Sequence, residues 1–182
     1  MKYGIAAATL VVCLIGCATT SSPVPAGYTG PTATIKDSIR VISDTKAEFF
    51  VLYELDGRHV ENALGITIDR NAGNGFLLTP SGADRLVPAQ AAAFHILGRT
   101  HFGAPIDEMV STAYLIDGEV RFAPVAGEGY VVKGELGADH SAVWVENEKT
   151  GAQIGNKLLI KGSAAVGMFK KRPPVEQVPP AL

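Results

Sequence analysis

The chain contains little cysteine and has no long hydrophobic run. Its two cysteines, Cys13 and Cys17, both lie near the amino terminus. No disulfide, cysteine metal site or cysteine nucleophile can therefore form in the rest of the chain. The apolar segment at residues 5–15 is too short to cross a bilayer core, which needs about 20 apolar residues. A transmembrane helix is not predicted.

A basic surface is also lacking. Residues 33–160 contain 17 Asp and Glu against 11 Lys and Arg, a net charge of −6, which argues against nucleic acid as a partner. Residues 161–182 contain four basic residues and one acid, a net charge of +3. Lys170, Lys171 and Arg172 in this tail are interpreted either as a contact to anionic lipid head groups or as a solvated charge cluster.

The amino terminus does contain an export pattern. Lys2 precedes a short apolar stretch, which predicts a secretory signal peptide over residues 1–16. The motif Leu14-Ile15-Gly16-Cys17 that ends it resembles the lipobox of bacterial lipoproteins. The resemblance implies cleavage before Cys17, lipidation of the Cys17 thiol, and attachment to a membrane by two or three acyl chains. An ordinary signal peptide or an uncleaved anchor helix is the alternative.

The neighbours of the two cysteines refine this prediction. Val12, before Cys13, is too bulky for the cleavage pocket that accepts Gly16, which favours Cys17 as the lipidated residue. In lipoproteins of this kind an alanine after the acylated cysteine, as at Ala18, permits export to the outer membrane. The resemblance therefore implies a lipid-anchored protein of the bacterial cell envelope, at the outer membrane and facing the periplasm.

Composition divides the mature chain into three parts. Residues 17–32 lack hydrophobic periodicity and are rich in Ser, Thr and Pro, which predicts a flexible, disordered tether. Residues 33–160 are long enough for one domain with a substantial core. Residues 161–182 end in KKRPPVEQVPPAL, which predicts an extended, disordered tail.

The body shows the period-two alternation of β-strands. Turn signals such as Asp56-Gly57 separate the segments. Strands are predicted at residues 48–54, 63–69, 86–89, 92–102, 120–122, 130–136, 141–146 and, as an edge strand, 154–160. A short helix at residues 90–94 is the alternative for one segment. The spacing predicts an all-β fold, an antiparallel β-sandwich or barrel.

Residues 122–155, FAPVAGEGYVVKGELGADHSAVWVENEKTGAQIG, resemble the closing module of many small bacterial envelope lipoproteins. The shared pattern is a Phe-containing strand, a Pro/Gly turn, a Tyr-Val-Val strand, a further strand and a Thr-Gly turn. The resemblance implies an immunoglobulin-like β-sandwich body and an envelope location. It implies no catalytic residues.

The histidines, His59, His95, His101 and His140, do not predict a metal site. His95, Arg99 and His101 share one face of a predicted strand. At 3.3 Å per residue, His95 and His101 are about 20 Å apart, too far to bind one ion. A solvated polar face is expected instead, and no cofactor is predicted.

Other catalytic patterns are missing. Asp107-Glu108, expected in a loop, is the one adjacent acidic pair of the body, and the D-x-D-x-D-G calcium pattern is absent. Ser81 and Ser163 lack the G-x-S-x-G context of a hydrolase. Gly73-Asn74-Gly75 lacks the lysine of a phosphate-binding loop and predicts a hairpin or bulge loop that needs positive φ.

The aromatic residues favour packing over ligand binding. Trp144, the single tryptophan, alternates with Val143 and Val145 and is expected to be semi-exposed. Packing in the core is the preferred interpretation, and a stacking platform for a glycan is the alternative. Phe49 and Phe50 are expected to fill the core.

These patterns predict a non-enzymatic envelope lipoprotein with a structural or binding role. Its partner would be the membrane, through the lipid anchor, together with an envelope protein or a glycan at its loops or a sheet edge. One alternative is a hydrolase using Asp107 or Glu108, which requires two acids about 5–9.5 Å apart in a cleft. The other is a ligand-binding module with a small apolar pocket between the sheets.

Overall fold

The computed structural model describes residues 22–167 and 172–181. The predicted signal peptide, the lipobox and Cys17 lie outside these residues, so cleavage and lipidation stay predictions. Within the described residues, neither helix has the length and apolar character needed to span a membrane.

The described strands and helices occur in the following order along the chain. They are β1 (Thr32–Lys36), β2 (Ser38–Ser43), β3 (Lys46–Leu55), β4 (Arg58–His59), α1 (Ala63–Asn71), β5 (Asp84–Pro88), β6 (Ala92–Phe102), α2 (Pro105–Val110), β7 (Ala113–Phe122), β8 (Gly129–Glu135), β9 (His140–Asn147), β10 (Gln153–Lys161), β11 (Ala165–Val166) and β12 (Glu176–Val178).

These strands form two facing sheets. One sheet has the order β12-β10-β9-β8-β1-β5, and the other has the order β11-β7-β6-β3-β2, with β4 beside β3. The pair β1–β8 is parallel, and the other described pairs are antiparallel. The predicted all-β sandwich is therefore confirmed.

The main core lies between the sheets and follows the period-two alternation of the strands. In β6 the side chains of Phe94 and Ile96 are fully buried and point toward the facing sheet. They pack against apolar side chains from both layers, among them Leu52, Ile116, Val132, Val143, Val145 and Leu158. Burial of this apolar area is the main stabilising contribution to the fold.

A second apolar cluster covers the outer face of β3. It contains Phe49, Val51, Ala63, Leu64 and Leu78. Because β3 is apolar on both faces, Phe49 is buried here while Phe50 is buried in the main core. The prediction that both phenylalanines fill the core is therefore confirmed.

The predicted strand at residues 63–69 is wrong, because this segment is helix α1. Asn62 caps the helix: its side-chain oxygen accepts a hydrogen bond from Gly65 N at 3.1 Å. Ala63, Leu64 and Thr67 form the buried stripe of the helix, a three-to-four-residue spacing that one face of a helix requires. The helix alternative at residues 90–94 is also wrong, because β6 begins at Ala92.

Residues 161–182 are not simply a disordered tail. Of their described part, β11 pairs with β7 and β12 pairs with β10, so β10 is not the edge strand that the sequence predicted. Unpaired backbone groups at a sheet edge favour the addition of a further strand. Arg172 also forms an ion pair with Asp117 at 3.2 Å.

The sandwich has two opposite ends, which β3 connects over about 30 Å. At the first end Leu55 pairs with Arg58, and the Arg58 guanidinium donates to the carbonyl of Pro23 at 3.4 Å. We call this the tether end. At the other end Lys46 pairs with Phe102, and we call it the groove end.

Candidate functional site

A groove of about 600 Å³ opens at the groove end. Arg99 and His101 on the outer face of β6 form its floor, together with Phe102 and Gly103 at the end of that strand. Ile68 and Asn71 of α1, with the loop that follows, form one wall, and Pro105 and Glu108 of α2 form the other. The groove therefore lies outside the main core, not between the sheets, where the ligand-binding alternative placed its pocket.

Local hydrogen bonds hold the loop that forms one wall. The Asn71 side chain accepts from Thr79 N at 2.9 Å and donates to Thr79 O at 3.0 Å. Gly73 and Gly75 have φ values of +85° and +72°, which glycine adopts at little cost. The positive φ predicted for Gly73 and Gly75 is thus confirmed, whereas the predicted hairpin or bulge loop is wrong, because the segment follows helix α1.

The same loop is fixed to the end of the sandwich. Leu78 N donates to the carbonyl of Asp44 at 2.8 Å, and Gly103 N donates to the carbonyl of Thr45 at 2.9 Å. A Cβ atom at Gly103 would lie 2.1 Å from the Phe76 carbonyl oxygen. The loop therefore passes over Gly103 at a distance that only glycine permits.

Three charged or titratable side chains meet in the groove. His101 Nδ1 lies 3.3 Å from Glu108 Oε1, and the Arg99 guanidinium lies 3.6 Å from the same oxygen. Burial lowers the pKa of His101, although the Glu108 carboxylate acts in the opposite direction. Burial therefore favours the neutral imidazole of His101, and Arg99 and Glu108 balance each other's charge.

The groove suits binding better than hydrolysis by paired acids. Among the described residues that line it, Glu108 is the single carboxylate, and Ser, Thr, Cys and Lys do not occur. Asp107, the predicted partner acid, does not line the groove. Asp107 and Glu108 also lie in α2, not in the loop predicted from the sequence, because Pro105 occupies the start of a helix, a position that suits proline.

The other histidines lie elsewhere. His95 Nε2 is 3.3 Å from Asp117 Oδ2, His59 packs edge-on against Tyr53, and His140 is 3.2 Å from Glu135. No group of three or more His, Cys, Asp or Glu side chains suited to a metal ion occurs in the described part of the chain.

The two serines have local structural contacts. Ser81 Oγ accepts from the Arg70 guanidinium at 2.9 Å, and Ser163 Oγ accepts from Ala165 N at 3.3 Å. These contacts hold the loop after α1 and the start of β11. They do not build the nucleophile and base of a hydrolase.

Core packing of Trp144 is a wrong prediction, whereas its partial exposure is confirmed. Val143 and Val145 point into the core, so Trp144 is half-buried on the opposite face of β9. The indole N–H donates to Glu146 at 2.7 Å, and Lys157 Nζ lies 3.9 Å from the ring centroid. This cation–π contact covers one face of the ring, which leaves less surface for a stacked glycan.

The sequence did not indicate the buried ion pair of Asp37 and Arg85. Asp37 also accepts hydrogen bonds from Leu52 N at 3.0 Å and Ala63 N at 2.7 Å. Burial raises the pKa of the Asp37 carboxyl, and Arg85 and these N–H groups oppose that effect. The pair fixes α1 to β3 and is a structural contact. Because 48 residues separate its members, no local pattern could have predicted it.

Comparison with known proteins gives no relative. No protein-family model matches this chain, and no curated protein or solved structure matches it significantly. The envelope lipoprotein resemblance of residues 122–155 therefore stays a prediction.

Proposed function

We propose that this protein is a non-enzymatic binding protein of the bacterial cell envelope, anchored to the outer membrane by a lipid on Cys17. In this proposal the body faces the periplasm and binds its partner at the groove end. The main observation in support is the groove itself: an open volume of about 600 Å³ with apolar walls and a few convergent polar groups, which is typical of binding sites.

The position of the tether supports an outward orientation of the groove. Pro23 contacts Arg58 at the tether end. The six residue steps from Cys17 to Pro23 span at most about 20 Å, whereas the groove lies about 30 Å farther along β3. A lipid on Cys17 would thus hold the tether end near the membrane and leave the groove end facing away from it.

A small apolar molecule is the second candidate ligand. The groove volume lies within the range of about 300–1,000 Å³ that small-molecule sites occupy. In that case the protein would still be an envelope binding protein, but its ligand would be a small molecule instead of a protein.

Replacing Cys17 tests the anchor. In Cys17→Ala the thiol that would carry the lipid is missing. We expect the protein to move from the membrane fraction to the soluble fraction and to lose the mass of its acyl chains. Cell fractionation and mass spectrometry of the intact protein measure both effects.

Cys13→Ala is the matched control, because it removes the other thiol and leaves the lipobox unchanged. This variant should stay lipidated and membrane-bound. Membrane retention of Cys17→Ala without acyl mass would disprove the lipid anchor and favour an uncleaved helix.

A further inference from the structure

Six large apolar side chains surround the groove and are exposed to solvent. They are Ile68, Phe76, Leu77, Ile106, Met109 and Val110, with exposed fractions from 43% to 82%. We call them the apolar rim. They belong to α1, α2 and the loop between α1 and β5, which the contacts at Gly103 bring together. Contiguous exposed apolar surface of this kind marks interaction sites.

The extent of the rim favours an occupant larger than a small molecule. A ligand confined to the groove would contact the floor and inner walls but would leave much of the rim in water. Met109 and Val110 are 82% and 76% exposed and do not line the groove. A partner that extends beyond the groove and over α2 would bury them.

The floor of the groove restricts the conformation of such a partner. It is the outer face of β6, which pairs with β3 as far as Phe102 and with β7 as far as Arg99. An extended peptide binds by adding a strand to a free sheet edge, and the face of a sheet, where the groove lies, offers no such edge. We therefore expect an occupant that satisfies its own backbone hydrogen bonds, as an α-helix does.

The charges in the groove also favour an apolar helix face as the occupant. Arg99 and Glu108 neutralise each other, and His101 already contacts Glu108. Among the described residues that line the groove, Arg99 is the single Lys or Arg, and it is already paired, so the lining offers no free cation to the head group of a fatty acid or another anionic amphiphile. An apolar helix face needs no counter-charge.

We propose that the groove end docks an amphipathic α-helix of a partner protein, with the apolar face of that helix against the groove and the apolar rim. The helix would present apolar side chains at i, i+3, i+4 and i+7, the spacing of helix-in-groove recognition. This inference rests on the proposed binding function but not on the lipid anchor.

Site-specific photo-crosslinking in living cells tests the proposal. The full chain carries a photoreactive benzoylphenylalanine in place of Phe76 or, separately, Met109. We expect both positions to link to the same protein. The linked residues of that protein, identified by mass spectrometry of peptides, should recur three or four residues apart.

Val125 is the matched control position. It is also apolar and 61% exposed, but it lies next to Tyr130 at the tether end. A photoreactive residue at position 125 should not link to this partner. In addition, Met109→Glu should reduce the crosslinking yield from position 76 at least tenfold, and Val125→Glu should leave it unchanged.

Several outcomes would overturn helix docking. These are links to lipid, links to a second copy of the chain, linked partner residues spaced two apart as in a strand, or no link from either position. Failure of the lipid anchor is distinguishable, because Cys17→Ala fractionation reports on it independently. A protein released from the membrane that still crosslinks through a helix would disprove only the anchor.

Discussion

Phe50 occupies the space that two glycines leave open. Its ring lies against Gly98 on the neighbouring strand β6 and against Gly134 on β8 of the facing sheet. A Cβ atom at Gly134 would lie 2.2 Å from Phe50 Cδ1 and 2.7 Å from the carbonyl oxygen of Ala142. Gly134 therefore has no room for any side chain while Phe50 keeps its position.

Gly134→Ala is expected to destabilise the protein by about 1–3 kcal/mol, the usual cost of overpacking a core. Denaturant unfolding measures this effect. The control is Gly82→Ala, because a Cβ atom there would have no neighbour within 4 Å. That variant should change the free energy of unfolding by less than about 0.5 kcal/mol. Equal effects of both substitutions would contradict the proposed packing.

At the residue scale, the alternation of side chains along a strand predicts which of them are buried only when it is known which face of the strand packs against the other sheet. Trp144 is the largest side chain of its strand, which favoured the core. Val143 and Val145 share the opposite face of the strand. Because both are buried in the core, Trp144 must point away from it. The alternation was visible in the sequence, but the choice of face depended on the facing sheet.

Among the elements, α1 does most to shape the groove. Its inner side covers the outer cluster on β3, and its last turn forms part of a wall. Asn62, which is only 3% exposed, caps the start of α1. The side chain accepts from Gly65 N and donates to the Val60 carbonyl at 3.2 Å.

Asn62→Ala removes both hydrogen bonds and is expected to lower the free energy of unfolding by about 1–2 kcal/mol, as for the loss of a helix cap. The matched control is Asn74→Ala, whose exposed side chain donates to the Arg70 carbonyl at 3.2 Å. We expect less than about 0.5 kcal/mol there. Thermal and denaturant unfolding of the two variants compare them, and similar losses would argue against a special role of the cap.

Strands β6, β8 and β9 were predictable from sequence because their alternation is regular, whereas only residues 120–122 of the ten-residue strand β7 were predicted. The predicted segment 92–102 coincides with β6, and segments 130–136 and 141–146 differ from β8 and β9 by one residue at each end. The short strands β1 and β2 were not predicted. The apolar run of 63–69 was ambiguous, and its helical form depends on the cap at Asn62 and on the N–H of Ala63 donating to distant Asp37.

The candidate site was predictable only in its parts. Each part belongs to a separate sequence pattern: Arg99 and His101 to a polar strand face, Glu108 to an acidic pair, and Gly73-Asn74-Gly75 to a glycine-rich loop. They lie in different elements, and the contacts that unite them cross the fold, such as the hydrogen bond from Leu78 N to Asp44 O. No local periodicity specifies contacts between segments so far apart in sequence.

On the scale of the whole molecule, the carboxyl-terminal segment joins the two sheets at one side. Its strands β11 and β12 extend opposite sheets. Gln177 accepts from Asn156 at 2.8 Å and donates to the Glu119 carbonyl of the other sheet at 3.3 Å. The segment thus covers the edge of β10 that would otherwise be open to pairing with another chain.

A chain that ends at residue 171 lacks β12 and uncovers this edge. Loss of at least two hydrogen bonds, at about 0.5–1.5 kcal/mol each, should lower the free energy of unfolding by roughly 1–3 kcal/mol. The exposed edge should also cause association at high concentration. Denaturant unfolding and light scattering during size-exclusion chromatography measure the two effects.

Lys161→Ala serves as the control for this truncation, because it removes only the exposed ion pair between Lys161 and Glu176. Exposed pairs contribute about 0–1 kcal/mol, so this variant should keep the oligomeric state of the original and be nearly as stable. A truncated chain that behaves in the same way would show that β12 is dispensable.

The parallel pairing of β1 with β8 constrains the order in which this protein can fold. Thr34 lies opposite Gly129, and their separation of 129 − 34 = 95 residues makes the contact highly non-local. During synthesis the amino terminus appears first, so β1 cannot pair with β8 until more than two-thirds of the polypeptide has been made. Such contacts slow folding, so the sheet containing β1 can be completed only late in synthesis or translocation.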